Sequence, residues 1–154
     1  MRAPGRWANL GTEVGVTFSS DPGTYVLVVR LAAPVTLAVG RLGALSLDAG
    51  PYLYVGSALG GLRARLERHL RTEKRLHWHI DYLLRCARVE AIWYRQGSER
   101  RECAWAEALA HSPGVVAVAP GFGASDCHCA THLFYCSAAP APLPGCAVWQ
   151  APRG

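Results

Sequence analysis

A chain of 154 residues, 51% hydrophobic and 18% charged, is long enough for one domain with a real core and short for two. No window approaches the roughly 20 consecutive apolar residues that a membrane span needs, and no apolar run follows Arg2 and Arg6, so a signal peptide is not read and a cytoplasmic location is expected. The formal net charge is +5, and most of it is local: between 57 and 79 stand Arg63, Arg65, Arg68, Arg71, Lys74 and Arg75 against Glu67 and Glu73, an excess of +4. A solvated helix face and a phosphate-binding surface both account for such a stretch.

Residues 1–20 hold Gly, Pro and small polar residues without periodicity and read as a loose leader. Gly23–Leu31, rich in β-branched residues and following Asp21-Pro22, reads as a strand. Val35–Val39, after Pro34, is a second, and 52–56, after the polar turn 47–51, a third. Alternation places Tyr52 and Tyr54 on one face of that strand and Leu53 and Val55 on the other. Segment 59–71 reads as a helix, because Leu59, Leu62, Leu66 and Leu70 share one arc at about 100° per residue. Arg65 and His69, four apart, sit together on a shoulder of that seam, and Arg68 faces away.

A second helix is expected over 77–84 and a strand over 89–94. A third helix over 101–110 is closed by Pro113-Gly114, and Val115–Val118 reads as a further strand. Beyond 137, Pro140, Pro142, Pro144 and Pro152 exclude a regular helix or a central strand. The order β-β-β-α-α-β-α-β predicts an α+β domain at 21–136, a small antiparallel or mixed sheet flanked by about three helices, with a Pro-rich tail at 137–154.

The six cysteines are Cys86, Cys103, Cys127, Cys129, Cys136 and Cys146. Without a secretory signal a disulfide framework is not expected. Cys127, Cys129, His132 and Cys136 crowd together, but their first pair is spaced C-x-C, whereas zinc sites usually begin C-x2–4-C. Free thiols without zinc are therefore expected there, and buried free thiols at Cys86 and Cys103 on apolar positions of helical segments. His77, His79 and Asp81 form another polar cluster, read as capping or substrate-groove residues because these positions diverge on a helix. Asp126 and His132 carry no assigned role.

Gly23-Thr24-Tyr25 resembles the first signature of GIY-YIG nucleases, and Tyr54-Val55-Gly56 the second. Ser57, Arg65 and His69 follow at the spacing in which a glycine–serine step precedes an arginine and, four on, a histidine. The strings Gly-Pro-Tyr-Leu-Tyr-Val-Gly-Ser-Ala, His-Trp-His-Ile-Asp-Tyr-Leu-Leu and Gly-Phe-Gly-Ala-Ser-Asp-Cys-His-Cys resemble the Uri-type branch, a domain of unknown function related to those endonucleases. The resemblance covers roughly 23–135. The gap between the signatures is wider than in the common form, and Thr24 and Val55 replace the isoleucines.

The resemblance implies a metal-dependent endonuclease acting on DNA. It makes Tyr25 the general base or water-orienting group, Tyr54 its partner, Arg65 the cation on the scissile phosphate and His69 a water-orienting or proton-shuttling group. An unperturbed phenol titrates near 10, so Tyr25 needs acidification to act as a base. A glutamate on the third helix is the implied ligand for magnesium (or manganese), Glu102 being favoured over Glu107. Arg63, Arg68, Lys74 and Arg75 are the expected nucleic-acid contacts. Tyr25, Tyr54, Arg65, His69 and one of the glutamates are expected on one concave surface. With no separate recognition domain in view, targeting calls for a homodimer or a partner protein. A non-catalytic nucleic-acid-binding module on the same fold, and a zinc-stabilised interaction domain around 127–136, are the competing readings.

Overall fold

The strand that organises the molecule is β1 (Gly23–Leu31), whose nine residues are buried on both faces at all but one position. It is followed by β2 (Val35–Val39), β3 (Gly43–Leu47), β4 (Gly50–Ala58), α1 (Leu62–Leu70), α2 (His79–Leu84), β5 (Arg88–Gln96), α3 (Glu102–Ala110), β6 (Val115–Val118), β7 (Leu133–Cys136) and β8 (Ala147–Gln150). The computed structural model describes residues 18–125, 127–138 and 141–152; most of the segment read as a leader, and Asp126, lie outside them.

The main sheet has six strands in the order β6-β7-β4-β1-β5-β8, and β2 pairs with β3 in a separate hairpin. Every pairing is antiparallel, and β1 runs against β4 along its full length, from Gly23 opposite Ala58 to Leu31 opposite Gly50. The architecture is α+β, as the order of predicted elements implies.

Alternation along β1 and β4 divides the core into two layers. Tyr25, Leu27, Val29, Tyr52 and Tyr54 face Leu62, Leu66, Ile80 and Leu83 of α1 and α2. On the reverse face Val26, Val28, Leu53 and Val55 meet Ala106 and Leu109 of α3. The sheet therefore lies between a two-helix layer and a one-helix layer, and the period-two reading of Tyr52 and Tyr54 holds.

The helix expected over 59–71 begins three residues later, and Leu59 is 51% exposed, so the buried part of its seam starts at Leu62. No side chain caps α1. Its first amides donate instead to the carbonyls of Asp21 (from Leu62, 2.9 Å) and Ser19 (from Arg63, 2.9 Å). At the other end Lys74 Nζ donates to the carbonyls of Arg68 and His69 at 3.0 and 2.8 Å, where a cation suits the helix dipole.

The strands missing from the sequence reading are β3, β7 and β8. The last stands within the Pro-rich segment and pairs with β5 as an edge strand, the place in a sheet that tolerates neighbouring prolines. Among the described residues no helix is long and apolar enough to cross a membrane.

Candidate active site

Tyr25 and Tyr54 stand on adjacent central strands and point to the same face, toward α1. The Tyr25 ring lies across the backbone of Gly56, its pairing partner on β4, and a Cβ at Gly56 would collide with the phenol hydroxyl. The second signature thus needs its glycine to make room for the tyrosine of the first. Gly123 plays a similar part for Tyr54: it adopts φ +69, and a Cβ there would stand 2.8 Å from the Tyr54 ring.

From α1, His69 is buried against both tyrosines, and its Nε2 is hydrogen-bonded to the Tyr25 hydroxyl at 2.7 Å. Its Nδ1 is buried without a hydrogen-bond partner, as are the hydroxyls of Thr24 and Ser57. Burial, reinforced by Lys74 and Arg65, lowers the His69 pKa to about 3, so the imidazole is neutral. Burial pushes the Tyr25 phenol up to about 12, although the charge of Arg65 and a hydrogen bond with it pull the other way. The Tyr54 phenol is likewise raised by burial. Tyr25 is therefore protonated at neutral pH, the reverse of the acidification a base would need.

Arg65 donates to the carbonyl of Ser57 at 2.8 Å, and its guanidinium carbon lies 4.2 Å from the centre of the Trp78 ring. These contacts hold the cation beside Tyr25. Glu102, in the first turn of α3, is buried, and its charge acts on both phenols. Glu107 is exposed, and its carbonyl accepts from His111. Tyr25, Tyr54, Arg65 and His69 thus come together on the α1 face, while Glu102 acts on the two phenols only through its charge, from α3 on the other layer.

The expected nucleic-acid contacts divide. Arg63 and Arg75 are exposed, and Arg63 also donates to the carbonyl of Phe18 at 3.0 Å. Arg68 does not face solvent: it binds both oxygens of Asp81 at 2.9 Å and the carbonyl of Arg75, and its guanidinium lies 4.2 Å from the Trp78 ring centre. An apolar-seam count on an isolated helix cannot foresee this, because the partner arrives with α2. Lys74 is half-buried over the end of α1, and burial lowers its pKa to about 8. Both are structural cations.

Asp81 is fully buried; burial alone would raise its pKa, but Arg68 and the amides of Trp78 and His77 outweigh that and lower it. It caps α2. His79 accepts from the amide of Gly123 at 2.8 Å, tying α2 to the loop that carries the Tyr54 contact.

A second group lies beyond Glu102. Cys103, Cys127, Cys129 and His132 offer ligand atoms that all lie within 4.8 Å of one another and can hold a metal ion. His132 Nε2 is 3.5 Å from the Cys127 thiol, and its Nδ1 is 3.9 Å from Glu102. Burial and the thiols of Cys103 and Cys127 push Cys129 up to about 12. The sequence suggested Cys136 in this company; it is instead a buried core residue of β7, and Cys103 takes the fourth place. Cys86 and Cys103 were expected to be buried, yet both are exposed, Cys86 because α2 ends before it.

Residues 24–148 match the family described as Domain of unknown function DUF123. The chain belongs to that family. No curated protein and no solved structure shows a significant match. The DUF123 match includes both tyrosine strands, α1, the Glu102 helix and all four potential metal donors.

Proposed function

We propose that this chain is a metal-dependent phosphodiesterase of the GIY-YIG type that cleaves nucleic acid, with DNA as the substrate. The observation that carries the reading is the buried Tyr25–His69 hydrogen bond, with the Arg65 cation beside it. Phosphodiester hydrolysis needs an oriented water, a fixed cation for the charge that grows on the phosphate oxygens, and a route for a proton. Arg65 is the fixed cation, held by Ser57 and Trp78, with a planar donor fork suited to phosphate.

The raised Tyr25 pKa argues against a standing phenolate and for a relay. A water on Tyr25 gives its proton to the phenol oxygen as the phenol passes its own to His69 Nε2. His69 is neutral, but burial makes it a weak base, so the relay calls on the anionic phosphate to raise its basicity.

Glu102 fits the part of sole carboxylate ligand for magnesium or manganese. It is buried in the first turn of α3, its charge acts on both phenols, and its Oε1 pairs with the exposed Arg100, a contact that an incoming ligand can displace. A divalent ion bound there supplies further charge compensation to the phosphate. Arg63 and Arg75 on the exposed side of the basic stretch are the remaining candidates for backbone phosphates. The test is cleavage of single-stranded, duplex and branched DNA with and without magnesium. Metal-dependent products from at least one substrate support the reading; binding without cleavage of any moves it to a nucleic-acid-binding module.

A further inference from the structure

The four clustered donors come from two places in the fold. Cys103 is the second residue of α3, while Cys127, Cys129 and His132 belong to the loop between β6 and β7. That loop is held in shape independently of the cluster. Gly121 and His132 donate backbone hydrogen bonds to Ala130 and Phe122 at 2.7 and 2.8 Å, and the Thr131 hydroxyl bonds the carbonyl of Ala119 at 3.0 Å and the amide of Leu133 at 3.1 Å. The donors are thus brought together by a built loop against a helix, not by a chance meeting of flexible side chains.

We propose that Cys103, Cys127, Cys129 and His132 bind one zinc ion, and that Glu102 is the outer carboxylate that orients His132 within this site. Three sulfurs and one imidazole nitrogen form a complete tetrahedral donor set of the structural Cys3His type. Zinc–sulfur bonds of about 2.3 Å set neighbouring sulfurs roughly 3.8 Å apart, so a cluster within 4.8 Å needs only a small contraction to close on the ion. Soft thiolates select zinc over magnesium, which takes oxygen ligands.

The C-x-C spacing that argues against zinc in the sequence is no obstacle, because the fourth donor is delivered by α3 rather than by the loop. His132 has the orientation such a site requires: Nε2 turns to the thiols, and Nδ1 faces a carboxylate. Zinc would pin α3, which carries Glu102, to the β6–β7 loop. The site shares Glu102 with the proposed magnesium position, but its four donors are other residues and their zinc binding does not depend on the cleavage reading.

The experiment uses the full chain purified under reducing conditions. Elemental analysis is expected to find one zinc per chain. Zinc-stripped protein titrated with cobalt should develop the visible bands of a tetrahedral thiolate site, and added zinc, but not magnesium, should bleach them. Cys103→Ser and Cys129→Ser should each lose the bands, while Cys86→Ser and Cys136→Ala keep them. Glu102→Gln should keep the site but weaken zinc affinity by roughly 10–100-fold.

Should Cys103→Ser misfold, zinc protection of the exposed Cys103 thiol in the wild-type chain against a thiol reagent gives the same answer without a variant. Protein that holds no zinc and gives no tetrahedral cobalt spectrum overturns the proposal, as does a Cys103→Ser chain that binds with wild-type affinity. Unchanged zinc affinity in Glu102→Gln overturns the part assigned to Glu102. None of these readouts involves DNA, so their failure is distinct from failure of the nuclease reading.

Discussion

The phenol of Tyr25 and the imidazole of His69, 44 residues apart in the chain, meet at 2.7 Å in the interior. The contact ties the first strand of the sheet to the first helix at the point where Arg65 also arrives. A buried tyrosine bonded to a neutral histidine has a consequence for stability as well as chemistry.

His69 has a folded pKa of about 3 against an ordinary 6.5. On acidification the unfolded chain takes up this proton first, so the stability contributed by neutral His69 is complete above pH 6.5 and is lost progressively as pH falls toward 3. Asp81 acts in the same direction but only below its ordinary 3.8, since its folded pKa is lowered. Urea denaturation between pH 4 and 6.5 should show the wild type losing stability, and His69→Gln a shallower slope. Parallel slopes for the two proteins would show that His69 does not titrate as a buried neutral group.

Gly56 leaves room for the Tyr25 ring. Gly56→Ala should overpack this spot and destabilise the fold by roughly 1–3 kcal/mol. In the double variant with Tyr25→Phe, which removes the colliding hydroxyl, part of that cost should return. Equal losses in the two backgrounds, measured by chemical denaturation, would place the collision elsewhere.

Arg63 and Arg68, five apart on α1, should behave differently. Arg68→Ala leaves the fully buried Asp81 without its bidentate partner and should cost about 3–5 kcal/mol. Arg63→Ala should leave stability nearly unchanged while weakening DNA binding and reducing the salt slope by about 1. The reverse assignment, with Arg68→Ala stable and binding-deficient, would return Arg68 to the nucleic-acid surface.

Much of the sheet was legible from residue pattern alone. The alternation of Tyr52 to Val55 survives folding because a two-sided buried strand leaves each residue one face to occupy. The Arg65 and His69 shoulder of α1 was legible from helical spacing.

What stayed hidden depends on contacts between distant segments. Arg68 reads as a solvated cation until α2 brings Asp81 to it. Trp78 carries no role in the sequence reading, yet it supports both Arg65 and Arg68. The thiol cluster was misjudged because its fourth donor, Cys103, lies on a helix and leaves no local spacing to read. The Cys127-His128-Cys129 step with Glu102-Cys103 upstream was the available signal. Strand β8 was obscured by the prolines before it, which exclude a central strand but permit the edge position it takes.

The central claim is that Arg65 stabilises charge developing on a scissile phosphate. It is tested most directly by single-turnover cleavage of DNA, alongside binding to the same DNA, for wild type and Arg65→Ala in magnesium. The account predicts that the variant keeps its DNA affinity within a few-fold and its fold intact, while the cleavage rate falls by roughly 10²-fold or more. An Arg65→Ala protein that cleaves at the wild-type rate, or a wild type that binds every DNA structure offered and cleaves none with any divalent metal, would contradict it.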